Sequence, residues 1–104
     1  MNRPANSLRG EASLQVGNKD LLLRPSFENL VAAEEELGSL FALIERASDG
    51  ELTLNEITAL LWHCLAVDPR PERADVGSAV LAMGLVQATA PVRIILAEVL
   101  QGQS

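Results

Sequence analysis

The stretch Leu21–Leu65, LLLRPSFENLVAAEEELGSLFALIERASDGELTLNEITALLWHCL, decides the fold. It opens on a strand end and passes through Arg24-Pro25-Ser26 into a helix. Three short helices follow one another, punctuated by Gly38 and by Asp49-Gly50. Ser26 is placed to cap a helix over Phe27–Leu37, with Gly38 at its C-terminal stop. Ser39 is placed to cap a second helix over Leu40–Ala47. Thr53 and Glu56 have the T-x-x-E spacing of a capping box for a third over Leu54–Ala66.

Upstream of this stretch, Ala12, Leu14 and Val16 alternate with Glu11, Ser13 and Gln15, the period of a half-buried strand. Gly17-Asn18-Lys19-Asp20 reads as a hairpin turn and Leu21–Arg24 as the return strand. An isolated hairpin is marginal in water, so its apolar face must rest on the helices. Downstream, Asp68-Pro69-Arg70-Pro71 is a rigid break. A fourth helix is expected over Glu72–Met83, stopped by Gly84, and a fifth from about Thr89 to Leu100 with Pro91 in its first turn. The fold class expected is α+β: a mainly α-helical bundle of about five short helices with an N-terminal β-hairpin. The domain reading is a loose N-terminus over residues 1–8 and one domain over 9–101.

Mapping at 100° per residue assigns core faces. They are Phe27, Leu30, Val31 and Leu37 on the first helix, and Leu54, Ile57, Leu61, Cys64 and Leu65 on the third. The fourth contributes Val76, Ala79, Val80 and Met83, and the fifth Val92, Ile95, Leu96 and Val99. Leu81 and Ile94 fall opposite their stripes, and Trp62 sits at the edge of its own. These three are the candidate partner-binding residues.

Composition narrows the function. The 104-residue chain is 48% hydrophobic yet carries a formal net charge of −6, so apolar surface is expected to remain exposed, as at partner sites. Lys19 is the only lysine, which argues against nucleic acid and against anionic membrane surfaces. Cys64 is the only cysteine, so no intrachain disulfide forms. The N-terminus lacks the apolar segment of a signal peptide, and no apolar run approaches the ~20 residues of a membrane helix. A cytoplasmic location is expected.

Three constellations invite chemistry. Glu45–Glu56 is twelve residues long and resembles the second half of an EF-hand calcium loop, with Asp49 at position five, Gly50 at six and Glu56 at twelve. Ala47 stands where a ligand is needed, and the same residues make a turn and a helix cap. Trp62-His63-Cys64 places an imidazole beside a thiol, but adjacent helical positions diverge by about 100°. Cys64 is expected in the core, with His63 toward the polar side. In Glu34-Glu35-Glu36, Glu35 and Glu36 read as solvated. Glu34 points into the apolar stripe and would need Arg24 or Arg46 as partner. No catalytic set, metal site or cofactor site emerges.

The order of these cues resembles the small tail assembly chaperones of phages and phage-like gene transfer agents. The resemblance spans Arg9 to Leu100. It rests on Gly10-Glu11, Leu23-Arg24-Pro25-Ser26-Phe27-Glu28, Glu34, Leu37-Gly38-Ser39-Leu40, Gly84-Leu85 and a Leu-rich C-terminal helix. It implies no enzymatic activity. It implies transient binding of the tape measure protein during tail assembly and recruitment of tail tube subunits, and it leaves room for a homo-oligomer. An acidic face would steer the chain toward Lys- and Arg-bearing flanks of the partner. The rival readings are an EF-hand-like calcium module and a small connector protein of a phage-like particle.

Overall fold

The computed structural model describes residues 12–101. Two strands, β1 (Ala12–Val16) and β2 (Lys19–Leu23), precede five helices: α1 (Phe27–Leu37), α2 (Leu40–Ser48), α3 (Leu54–His63), α4 (Arg73–Met83) and α5 (Leu85–Gln101). The class is α+β, mainly helical, as expected. The expectation of a loose terminus over residues 1–8, and Glu11 of the expected first strand, lie outside the described residues.

The strands pair antiparallel, with Ala12 opposite Leu23, Leu14 opposite Leu21 and Val16 opposite Lys19. Gly17 turns the chain at φ 63°. The turn is tighter than expected, since Lys19 and Asp20 belong to β2. Ala12 and Leu14 are buried while Ser13 and Gln15 are exposed, which is the inward–outward alternation of the sequence. The hairpin is also stitched to the helices through the backbone. Leu23 bridges Leu65, the Arg24 amide donates to the Cys64 carbonyl (2.7 Å), and the Ala66 amide donates to the Leu22 carbonyl (2.8 Å).

Capping follows the sequence. Ser26 Oγ accepts from the Asn29 amide (3.2 Å) and Ser39 Oγ from the Ala42 amide (3.4 Å). Thr53 Oγ1 accepts from the Glu56 amide (3.1 Å), while the Thr53 amide donates to Glu56 Oε1 (2.9 Å), closing the capping box. Gly38 and Gly84 end α1 and α4 at φ 88° and 89°, values that L side chains rarely adopt.

The core departs from a one-stripe picture at α3. This helix is packed by α1, α4 and α5, so Ile57, Thr58, Ala59, Leu60, Leu61 and His63 are all buried. Leu54, expected in the core, is partly exposed because it stands in the first turn, beyond the packed length. On α1 the inward face is rotated from the expected one. The fully buried Ala33 lies between half-buried Leu30 and Leu37, and its small side chain lets α1 approach α3. Phe27 and Val31 consequently face outward, Phe27 at 82% exposure. The stripes of α4 and α5 are largely as expected: Val76, Ala79, Val80, Val92, Ile95 and Leu96 are buried, and Met83 and Val99 half-buried. α5 begins four residues earlier than expected, at Leu85, and Pro91 lies inside it. α4 and α5 meet at an angle of 115°. Among the described residues no single helix is long and apolar enough to cross a membrane.

Candidate partner-binding surface

The polar side of the molecule is organised around Trp62, and its charged groups hold the fold together. The Trp62 indole nitrogen donates to the Pro71 carbonyl (2.9 Å), and the guanidinium groups of Arg70 and Arg73 lie 5.0 Å and 4.5 Å from its ring centroid. Such cation–π contacts tie the loop before α4 to α3. Arg70 also donates to Asn29 Oδ1 and to the His63 carbonyl (3.0 Å each). Arg73 pairs with Glu36.

His63 corrects an expectation. It is buried rather than turned to the polar side, with Nε2 2.8 Å from Glu36 Oε1. Glu36 is therefore a cross-link between α1, α3 and α4 rather than a member of a solvated run. The Arg73 hydrogen bond, and then the His63 one, hold its carboxyl below the usual 4.5. Asn29 and Glu36 stand seven residues apart, two turns along one face of α1, so that Asn29 meets Arg70 of the loop while Glu36 meets His63 of α3 and Arg73 of α4. Glu34 is exposed, and its Oε2 accepts from the Leu40 amide (3.1 Å), a second cap for α2. Arg46, one partner suggested for Glu34, pairs instead with Glu56.

The twelve-residue loop is built as a turn and a cap. Gly50 has φ 71°, and Glu56, its last carboxylate, is engaged by the Thr53 amide and by Arg46. These contacts, with Arg46 first, lower its pKa. Cys64 is buried among apolar groups, which pushes its thiol up to about 12 and leaves little thiolate at neutral pH. Among the described residues no three His, Cys, Asp or Glu side chains converge as metal ligands.

Of the eight exposed large apolar side chains among the described residues, four stand around the start of α3 and the α4–α5 elbow; Phe27, Val31, Phe41 and Leu100 line neither groove there. Leu54 is 38% exposed, Leu81 62%, Leu85 47% and Val86 84%. Two grooves flank the first turns of α3. One, of about 390 Å³, runs between α3 and α4 past Leu54, Thr58, Arg73, Gly77 and Leu81. The other, of about 240 Å³, lies between α3 and α5 and is walled by Leu52, Ile57, Leu85, Val86 and Val92. A broader hollow of about 690 Å³ lies between the hairpin turn and α4, with Asp75 as its one carboxylate.

The three candidate residues fall in different settings. Leu81 lies in the α3–α4 groove. Trp62 is half-buried and reaches that groove through Arg73, which lines it. Ile94 is half-buried against the core, one residue beyond Arg93 of the α3–α5 groove. Leu85 and Val86 were missed because the expected start of α5 left them in a loop.

The described residues thus form a small, mainly helical module with two grooves at one end of α3 and a charged cluster that ties α1, α3 and α4 together. Residues 9–102 match the family described as phage tail tube protein, GTA-gp10. The chain belongs to that family and is a tail-associated protein of the phage and gene transfer agent type. No curated protein and no solved structure matches it.

Proposed function

We propose that this protein is a tail assembly chaperone that transiently binds the tape measure protein while the tail is built. The observation that carries the reading is the set of exposed apolar side chains, Leu54, Leu81, Leu85 and Val86, around two grooves at one end of α3. Grooves of this kind accept the apolar face of an amphipathic helix. A tape measure protein is long and helical, and its apolar faces need cover until the tube encloses them. Of the three candidate residues, Leu81 lies in the α3–α4 groove, Trp62 meets it only through Arg73, and Ile94 packs on the core. The chain itself performs no catalysis in this reading. The family description names the tail tube, so tube subunits are the second partner class proposed.

The test is co-expression with the cognate tape measure protein. Its soluble yield should rise, and the two proteins should co-elute on gel filtration. Leu81→Asp and Val86→Asp should reduce that gain without unfolding the chaperone, because both side chains are exposed. Ile94→Asp is less discriminating, since Ile94 packs on the core. An insoluble tape measure protein and no complex would defeat the reading. Finding the protein as a stoichiometric part of purified particles would favour a structural subunit instead.

A further inference from the structure

The α3–α5 groove carries a charge that the chain's overall acidity does not suggest. Arg93 is the one charged residue lining it. Every other described arginine is engaged: Arg46 with Glu56, Arg70 with Asn29 and the His63 carbonyl, Arg73 with Glu36, and Arg24 with its own contacts. Arg93 is exposed and has no hydrogen bond or ion pair among the described residues. In a chain with 14 acidic residues and a net charge of −6, carboxylates to pair with it are plentiful, yet the fold leaves this guanidinium open beside an apolar groove.

We propose that the α3–α5 groove takes an amphipathic helix of the tape measure protein that bears an apolar anchor and, about two turns away, an Asp or Glu that pairs with Arg93. This rests on the chaperone reading above and specifies the partner's chemistry. The groove's apolar walls receive the anchor, and the planar guanidinium matches a carboxylate. The spacing follows from α5 itself. Val86 at the mouth and Arg93 are seven residues apart, roughly 10.5 Å along the helix, so the partner's carboxylate stands at a comparable distance from its anchor. Gly84, just before α5, has no side chain to cap the helix, so the first amides of α5 add positive potential at the same groove.

The experiment uses the full chain and overlapping peptides of the cognate tape measure protein, with fluorescence anisotropy as readout. Peptides that bind should pair a Leu, Ile, Met or Phe anchor with an acidic residue about two turns away. Arg93→Glu should weaken them about 3- to 30-fold and Arg93→Lys much less. Changing the peptide's acidic residue to Lys should restore binding to the Arg93→Glu variant. Full-length tape measure protein that binds wild type and Arg93→Glu equally would overturn the groove assignment while leaving the chaperone reading intact. So would bound peptides carrying Lys or Arg at the partner position. Binding of neither protein nor peptides would overturn both. Self-association of the chain that Arg93→Glu abolishes would give the groove to a second copy and overturn the proposal.

Discussion

Leu61 and Glu36 show two ways in which single residues hold this fold. Leu61 is fully buried on α3, where α1, α4 and α5 converge. Its truncation removes apolar contacts and leaves a cavity that a helix packed on several sides cannot readily close. Leu61→Ala should therefore cost about 2–5 kcal/mol in denaturant unfolding, and a loss well under ~1 kcal/mol would contradict its place in the core. Glu36 works through charge. Arg73 and His63 both face its carboxylate, and its folded pKa lies below 4.5. The sign follows from linkage: a depressed carboxyl pKa adds stability above the unfolded value and loses it as pH falls through the folded one. Glu36→Gln should lower stability at neutral pH, and the gap to wild type should close as pH drops below 4.5. A gap that stayed constant down to acid would show that the contacts are not electrostatic.

At the scale of elements, the sequence was most legible where local chemistry decides. The start of α1, α2 and α3 each follows from one side chain, Ser26, Ser39 or Thr53, meeting an amide three residues on. The Thr53–Glu56 box is the firmest of these, because Glu56 both caps and pairs with Arg46. Thr53→Ala should cost roughly 0.5–2 kcal/mol, and adding Glu56→Gln should cost less than the two changes separately, since they share one network. Thermal unfolding of the four proteins of this cycle reads out both effects, and full additivity would separate cap from ion pair. What was illegible is equally physical. Periodicity assumes one inward face, and α3 has several. It also cannot know that Ala33, rather than Phe27 or Val31, is the contact that admits α1. Pro91 suggested a first turn, yet it stands inside α5, where the helix tolerates a residue that cannot donate to the Gln87 carbonyl. That displaced start hid Leu85 and Val86, two of the four exposed apolar side chains around the grooves.

For the whole molecule, the division of labour between its two sides matters more than any one contact. Arg70, Arg73 and the Glu36 carboxylate near Trp62 lock α1, α3, α4 and the intervening loop, while apolar surface stays open at the start of α3. Leu81 was recognisable beforehand because it opposes its own helix stripe. Its neighbours Leu54, Leu85 and Val86 needed the fold, since a surface made by three helices has no signature in any one of them. The net charge acts at longer range. With a net charge of −6, association with a basic partner should slow as salt rises.

The backbone stitch between β2 and the end of α3 has a consequence for the timing of opening. Arg24 and Ala66 have exposed side chains, yet their amides donate to the Cys64 and Leu22 carbonyls, 40 and 44 residues away along the chain. Neither bond can break by fraying of one element alone. Deuterium should therefore enter these two amides at nearly the rate of the α3 centre, through global unfolding, while the Asn18 amide in the hairpin turn exchanges early. Fast exchange at Arg24 and Ala66, with α3 still protected, would mean that the hairpin detaches as a separate unit. Slow exchange at both would make hairpin and helices one cooperative unit.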